Sequence, residues 1–200
     1  MGVSCSKFPK RPRGFTLIEL LVVISIVVVL IGLAFPAYQG VQNAAKKTQA
    51  KNDLVQIVTA VNAFYTEYGR YPTTATADTT VGGTAGMSGP VFDELRGITT
   101  APLNTRKVVF LSPPEAKDQT DPRSGIKTAD GQFYDPFGTP YTVAMDADYD
   151  NQITNPYTAD TGAGGSDIRQ GVIAWSLGKD RTAGTDKNVA PARDDVISWQ

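Results

Sequence analysis

A nearly unbroken apolar run close to the start of the chain limits what this sequence can fold into. Residues 20–35 are apolar, interrupted only by a serine and a glycine, and Glu19 stands directly before them. As a helix, the 21 residues 15–35 would be roughly 32 Å long at about 1.5 Å per residue, close to the ~30 Å thickness of a bilayer's hydrocarbon core. We therefore predict that this segment crosses a membrane once.

The distribution of charge gives this segment an orientation. The sequence has 19 basic and 20 acidic residues, and the first 13 residues contain four of the basic ones and none of the acidic ones. Because basic flanks tend to stay in the cytoplasm, we expect the residues after Tyr38 to lie across the membrane. The remaining chain has an acidic surplus, which argues against nucleic-acid binding because phosphate contacts need a basic surface.

Cysteine and histidine usage restricts the chemistry. Cys5 is the only cysteine, and the sequence contains no histidine. If the segment with Cys5 is removed, the remaining chain can form no disulfide, so bound metal is the obvious alternative for stabilising a domain outside the cytoplasm. Without histidine, the usual general base and the Ser-His and Cys-His pairs are missing. We predict that the protein is not an enzyme, since a membrane-tethered hydrolase would have only scattered carboxylates.

Ordinary explanations of the N-terminus fit less well than a specialised one. A secretory signal peptide would have a shorter apolar run followed by a small-residue cleavage site. A plain single-pass anchor does not account for Glu19, because an acid in a spanning helix is costly without a partner. Residues 1–6 fit the N-myristoylation pattern only loosely. A lipoprotein would need an apolar stretch ahead of Cys5, where the sequence has none.

The start of the apolar segment resembles a known processing signal. Residues 13–19 read Arg-Gly-Phe-Thr-Leu-Ile-Glu. This pattern closely resembles the class III signal of type IV pilins and of the pseudopilins of type II secretion. The resemblance implies that a prepilin peptidase cleaves between Gly14 and Phe15 and methylates the new amino group of Phe15. It also implies that Glu19 pairs with the α-amino group of a neighbouring subunit, which would supply the missing counter-charge.

The residues that follow predict an amphipathic helix. Apolar residues recur at steps of three and four from Leu54 onward, and Gly69 followed by Pro72 is a typical stop signal. A bend or local melting is predicted at Gly32, Pro36 and Gly40. The exposed side is predicted to hold Lys46, Lys47, Lys51 and Asp53.

The rest of the chain predicts a small antiparallel sheet. Residues 73–89 read as a long loop and residues 91–96 as a short helix. The predicted strands are residues 107–111, 140–145, 171–177 and 195–199. The predicted fold is α+β, with a long N-terminal helix, half membrane-spanning and half amphipathic, packed on the sheet as in pilin-like proteins. Its divisions are a leader (1–14), a membrane helix (15–38), an amphipathic helix (39–72), a variable region (73–133) and a C-terminal sheet (134–200).

Carboxylates near the C-terminus form a candidate calcium site. Residues 176–180 read Ser-Leu-Gly-Lys-Asp, and residues 194–199 read Asp-Asp-Val-Ile-Ser-Trp. This pattern is similar to the calcium loop of the major pseudopilin of type II secretion, and the turn at residues 135–141 is also similar to one in that family. The resemblance implies Ca²⁺ ligands at the Leu177 carbonyl, at Asp180 and at one or both of Asp194 and Asp195, with Asp186 as a further candidate. Neutralisation by Arg181, Lys187 and Arg193 is the alternative.

A second acidic group follows the strand predicted at residues 140–145. Asp146, Asp148 and Asp150 alternate there, and such spacing can bring oxygens together around a hard cation. Asn151 tolerates the left-handed conformation that calcium loops need at this position, but Tyr157 stands where a glutamate ligand is expected. A solvated acidic turn is the alternative interpretation. This group and the length of residues 73–130 depart from the pseudopilin pattern.

These features predict a major pseudopilin of type II secretion, a structural subunit that polymerises with copies of itself. It would pass once through the bacterial inner membrane with its N-terminus in the cytoplasm, in contact with lipid, prepilin peptidase and an inner-membrane assembly platform. With minor pseudopilins it would form a periplasmic filament that drives the export of folded proteins. The alternative is a type IV pilus subunit or minor pilin with an adhesive role. Such pilins often carry a C-terminal disulfide, which the processed chain cannot form.

Overall fold

The computed structural model describes residues 14–98 and 102–200. The predicted leader, apart from Gly14, lies outside the described residues. The chain divides into two compact units, one ending at Gln42 and the other beginning at Asn43. The fold class is α+β, as predicted, with a long N-terminal helix and small antiparallel sheets.

Helix α1 (Leu17–Tyr68) has 52 residues and contributes to both units. In the first unit every described residue of the chain is exposed. The helix contains an 18-residue window with a mean hydropathy of 3.1, none of it buried, so that its length and composition allow it to cross a membrane. Helical structure continues through Pro36 although proline has no N–H to donate, and the melting predicted there is wrong.

In the second unit, α1 buries one face. The buried residues recur at steps of three and four: Ala50, Leu54, Ile57, Ala60, Val61 and Phe64. The amphipathic helix is therefore confirmed, but two residues predicted on its exposed side make tertiary contacts. The ammonium group of Lys51 donates a hydrogen bond to the Ile197 carbonyl at 2.7 Å, and Asp53 accepts one from the Tyr141 hydroxyl at 2.8 Å. Both side chains are therefore half-buried by contacts with residues that are distant in sequence.

Among its described residues, the second unit also contains a short helix and eight short strands. The elements are β1 (Thr79–Val81), α2 (Gly89–Arg96), β2 (Gly125–Ile126), β3 (Phe133–Tyr134), β4 (Thr142–Met145), β5 (Ile153–Thr154), β6 (Asp167–Ile168), β7 (Val172–Ser176) and β8 (Val196–Ile197). A 3₁₀ turn (Ala192–Asp194) precedes β8. The main sheet has the order β1-β4-β7-β8 with every pair antiparallel, while β2-β3 and β5-β6 are separate hairpins.

Most predicted elements are confirmed, with two corrections. Helix α2 and strands β4, β7 and β8 lie where the sequence predicted them. The strand predicted at residues 107–111 is wrong, because the N–H groups of Phe110 and Leu111 donate to the Leu95 carbonyl at the end of α2. The loop predicted at residues 73–89 contains β1, which has three residues, too few for a period-two pattern, and is fixed by pairing with β4.

The main sheet is the middle layer of the second unit. One face packs on α1 and α2 through residues such as Val143 and Met145. The other face, with Ile173 and Trp175, is covered by the C-terminal segments that follow β4 and β7. Both faces are therefore buried, whereas an antiparallel sheet commonly leaves one face to water. In β4 and β7 this arrangement leaves polar residues only at the strand ends, Thr142 and Ser176.

Candidate functional site

A reciprocal pair of side chains marks the start of α1. The backbone N–H and the hydroxyl of Thr16 donate to Oε2 of Glu19 at 2.8 and 2.6 Å, and the Glu19 N–H donates back to the Thr16 hydroxyl at 3.3 Å. This is a capping box, which satisfies N–H groups that have no partner inside the helix. The Thr-x-x-Glu spacing at residues 16–19 is the sequence signal for this cap, which was not among the predicted features.

The predicted cleavage site lies just ahead of this cap. Gly14 and Phe15 are exposed and precede the first helical residue, Leu17. The peptide bond between them is therefore outside regular structure. Oε1 of Glu19 has no hydrogen-bond partner among the described residues, so this exposed carboxylate can accept a further hydrogen bond from a donor outside its own helix.

The structure brings three predicted C-terminal residues together. Carboxylate oxygens of Asp180, Asp194 and Asp195 lie within 4.8 Å of one another, a group we call the C-terminal cluster. Oδ2 of Asp194 accepts hydrogen bonds from the backbone N–H groups of Lys179 at 2.5 Å and Asp180 at 3.2 Å. These bonds join the segment after β7 to the segment before β8.

Asp195 is the buried member of the C-terminal cluster. It is 5% exposed, its Oδ2 accepts a hydrogen bond from the Tyr157 hydroxyl at 2.7 Å, and its Oδ1 is buried without a partner in the part of the chain described. Burial raises the pKa of Asp195 to about 7, and the charges of Asp194 and Asp180 add to the rise, while the Tyr157 hydrogen bond and Lys187 oppose it. A bound cation would offset the repulsion among the three carboxylates and would give Oδ1 of Asp195 a contact.

Gly178 allows the two segments to approach. It has a φ of 69°, and a Cβ at this position would lie 2.5 Å from the Asp194 carbonyl oxygen, which no side chain could tolerate. The Gly in the Ser-Leu-Gly-x-Asp pattern therefore has a physical reason: only glycine fits beside Asp194.

Other residues predicted for this site lie differently. Asp186 is outside the cluster, and its Oδ1 accepts a hydrogen bond from the Asn188 N–H at 2.9 Å. The Leu177 side chain is buried in the core beneath the β7 end of the sheet. None of the ion pairs formed within residues 14–98 and 102–200 involves the three aspartates. Of the three basic residues in the alternative, Lys187 acts on Asp195 through its charge alone, without a direct ion pair.

A second group of carboxylates has a different composition from the one predicted. Oxygens of Asp78, Asp146 and Asp148 lie within 4.8 Å of one another, which we call the β1–β4 cluster. Asp150 is not part of it, and its Oδ1 instead accepts a hydrogen bond from the Gln152 N–H at 2.8 Å. Burial raises the pKa of Asp78, and Asp148 and Asp146 raise it further. Asp78 was missed because only the pairing of β1 with β4 brings it near.

The two clusters lie at opposite ends of the main sheet. The β1–β4 cluster follows the end of β4, whereas the C-terminal cluster follows the end of β7. Because β4 and β7 are antiparallel neighbours, their C-terminal ends point to opposite ends of the sheet along the strand direction. Asn151, beside the β1–β4 cluster, has a φ of 63°, the left-handed conformation predicted for this position.

A buried aspartate fixes the turn ahead of β4. Oδ1 of Asp135 accepts hydrogen bonds from the N–H groups of Phe137, Gly138 and Thr139 at 2.9, 2.7 and 2.9 Å. Its Oδ2 accepts one from the hydroxyl of Ser176, the last residue of β7. Burial raises the pKa of Asp135, against the effect of these hydrogen bonds. Asp135 thus holds the β7 end from which the chain leads to the C-terminal cluster.

Comparison with known proteins bears on the N-terminal segment. The prokaryotic N-terminal methylation motif matches residues 9–35. The chain is 41% identical over 66 residues to the type IV major pilin protein PilA of Myxococcus xanthus, covering 33% of this chain and 30% of that protein. It is 40% identical over 65 residues to the type II secretion system core protein G of Dickeya chrysanthemi, covering 32% and 42%. It is 32% identical over 99 residues to the type IV major pilin protein PilE1 of Neisseria gonorrhoeae, covering 48% and 55%.

These similarities concern part of each protein. The chain spans between 30% and 55% of the length of the three relatives. No solved structure matches it significantly. By name, these relatives are type IV major pilins and a core protein of the type II secretion system. The N-terminal part of this chain therefore carries the N-terminal methylation motif and is similar to the corresponding part of type IV major pilins and of the type II secretion core protein G.

Proposed function

We propose that this chain is a structural filament subunit that is held in the bacterial inner membrane by residues 15–38 and assembles through the same helix. The observation that carries the proposal is the exposed apolar surface of α1 in the first unit, which begins with the single carboxylate Glu19 and coincides with the methylation motif. An apolar surface of this extent is not stable in water. Lipid would cover it before assembly, and other copies of the chain would cover it in the filament.

Processing would give Glu19 its partner. Cleavage between Gly14 and Phe15 by prepilin peptidase would create an α-amino group four residues before Glu19. Oε2 of Glu19 already accepts the Thr16 hydrogen bonds, while Oε1 has no partner among the described residues. The carboxylate can therefore cap its own helix and also bind the amino group of Phe15 on a neighbouring copy. Such a pair would set the axial register of the subunits, because each charge is costly in lipid without the other.

Glu19→Gln separates these two functions. Glutamine can still serve in a capping box, but it has no charge to offer the amino group. We expect the variant to be inserted and cleaved normally and to form no filaments, as judged by electron microscopy of membranes that overproduce the protein. Thr16→Ala is the matched control, because it removes the cap and keeps the charge, and it should still assemble. Filaments of normal number from Glu19→Gln would contradict the pairing.

We place this filament in the periplasm, as the pseudopilus of type II secretion. Minor pseudopilins and an inner-membrane assembly platform would be its partners, and the export of folded proteins its function. The similarity to core protein G and the Ser-Leu-Gly-x-Asp pattern with its clustered carboxylates support this assignment. Residues 15–200 contain no cysteine for the disulfide common in surface pilins.

A type IV pilus subunit is the second candidate. It is favoured by the similarity to PilA and by the match to PilE1, which extends over 48% of this chain. Deletion of the gene separates the two functions. A secretion subunit should leave normally secreted proteins in the periplasm of the deletion strain, while cells with native expression should yield no surface filaments on shearing. Sheared surface filaments that contain the chain, with secretion intact in the deletion strain, would favour the pilus.

For the C-terminal cluster we propose calcium binding by Asp180, Asp194 and Asp195, with the Leu177 carbonyl as a further ligand. The donor set fits, because Ca²⁺ takes oxygen ligands and the buried Oδ1 of Asp195 has no partner among the described residues. When bound, the ion would supply the positive charge that three close carboxylates need. Its effect would be to join the start of β8 to the end of β7 in a chain that has no disulfide available after processing.

A further inference from the structure

The β1–β4 cluster is created by strand register. Thr79 pairs with Met145, so that Asp78 and Asp146 stand opposite one another where the antiparallel ladder ends. Asp148 lies two residues further along the same loop. Like charges at directly opposed positions destabilise a strand pair, and β1 is an edge strand of only three residues. A positive charge close to these carboxylates would offset their repulsion.

The described residues do not supply that charge. None of the ion pairs within the described ranges involves Asp78, Asp146 or Asp148. Asp146 is 4% exposed; its Oδ2 accepts a hydrogen bond from the Asn151 N–H at 2.8 Å, but its Oδ1 is buried and has no partner in the same ranges. A buried polar oxygen without a partner costs free energy, which contact with a bound cation would recover.

The loop that carries Asp148 is already positioned by aromatic packing. The Tyr149 ring stacks on that of Tyr71 with centroids 5.8 Å apart and planes inclined by 16°, and Tyr71 stacks on Tyr65 of α1 at 4.8 Å. Tyr149 has a φ of 65°, an uncommon conformation for a bulky residue. The stack explains how the loop is held on α1, but it leaves Oδ1 of Asp146 without a contact.

We propose that Asp78, Asp146 and Asp148 bind one calcium ion, separate from the C-terminal cluster, that fastens edge strand β1 to the loop after β4. Carboxylate oxygens are the ligands of hard cations, and two oxygens on opposite sides of Ca²⁺ are roughly 5 Å apart, which accommodates ligand atoms lying within 4.8 Å of one another. The sequence contains no histidine and its one cysteine is Cys5, so this ligand set is not that of zinc or copper.

Calcium stoichiometry tests the proposal. The full-length protein, purified in detergent micelles and stripped with EGTA, is titrated calorimetrically with Ca²⁺. We expect Asp78→Asn to bind one ion fewer than the wild type, with its tryptophan fluorescence unchanged to show that it is folded. Asp150→Asn is the matched control, because Asp150 is in the same loop but outside the cluster, and it should bind as many ions as the wild type. Equal stoichiometry in Asp78→Asn and the wild type would overturn the proposal.

Asp180→Asn distinguishes this site from the C-terminal one. If both sites bind, Asp78→Asn and Asp180→Asn each retain one ion and the double variant retains none. If the wild type binds a single ion that Asp180→Asn loses and Asp78→Asn keeps, the β1–β4 site is refuted while the C-terminal site stands. Luminescence of Tb³⁺, a Ca²⁺ substitute, gives a second test in the Asp180→Asn background. The stacked tyrosines should sensitise this luminescence, and adding Asp78→Asn should abolish it. Luminescence that survives Asp78→Asn would count against the proposal.

Discussion

The most direct test of how the head of this protein is held together is the substitution Asp135→Ala. Asp135 is fully buried, and its carboxylate accepts hydrogen bonds from three N–H groups of the turn before β4 and from the Ser176 hydroxyl at the end of β7. The N–H groups of Phe137 and Thr139 are buried, and the Gly138 N–H keeps a second acceptor, the Asp135 carbonyl, at 3.1 Å.

The expected loss of stability follows from these contacts. A buried donor left without a partner costs about 1–3 kcal/mol, and the substitution leaves two such N–H groups as well as the buried Ser176 hydroxyl. Part of this cost is offset, because burial raises the pKa of Asp135 and removing the carboxylate relieves that desolvation. We expect the free energy of unfolding to fall by about 2–4 kcal/mol, which corresponds to about 5–15 °C in melting temperature.

The assay is urea unfolding of the full-length protein in detergent, followed by the fluorescence of Trp175 and Trp199, the two tryptophans of the chain. Asp135→Asn is the control, because the amide has no charge but keeps an oxygen acceptor for the three N–H groups, while its NH2 group in place of Oδ2 can donate to the Ser176 oxygen. It should cost less than about 1 kcal/mol. A loss below about 1 kcal/mol in Asp135→Ala, or equal losses in the two variants, would refute the argument that the acceptor rather than the charge matters.

Two further predictions concern calcium. Free Ca²⁺ at about 100 times the dissociation constant contributes about 2.7 kcal/mol, so its removal by EGTA should lower the melting temperature of the wild type by about 5–10 °C. Asp180→Ala should reduce this response, whereas Asp186→Ala, which changes a residue outside the cluster, should not. A full response in Asp180→Ala would assign the effect to other residues. Because the pKa of Asp195 is raised to about 7, protons compete with the metal at this carboxylate. Calcium affinity at the C-terminal cluster, measured by calorimetric titration, should therefore fall about tenfold in total between pH 8 and pH 6. Affinity independent of pH would contradict the role of Asp195.

Local patterns in the sequence predicted most of the α+β fold. The apolar run and the three- and four-residue steps after Leu54 require a helix, since they place apolar side chains on continuous surfaces. Strands β4, β7 and β8 were recognisable because they combine β-branched or aromatic residues with flanking Gly, Pro or Asp. The segment 107–111 has the same local character but bonds to the end of α2, a contact between residues that the sequence does not place together.

The sequence by itself determined the prepilin-type start of the chain, with Gly14, Phe15 and Glu19, and it identified Asp180, Asp194 and Asp195 as candidate ligands. These features depend on residues close together in the chain or on a resemblance that is linear. Only the tertiary structure placed Asp78 beside Asp146 and excluded Asp150, because strand register, not sequence distance, decides which carboxylates meet. It also decided which oxygens are buried without a partner, since burial is set by the packing of segments distant in sequence.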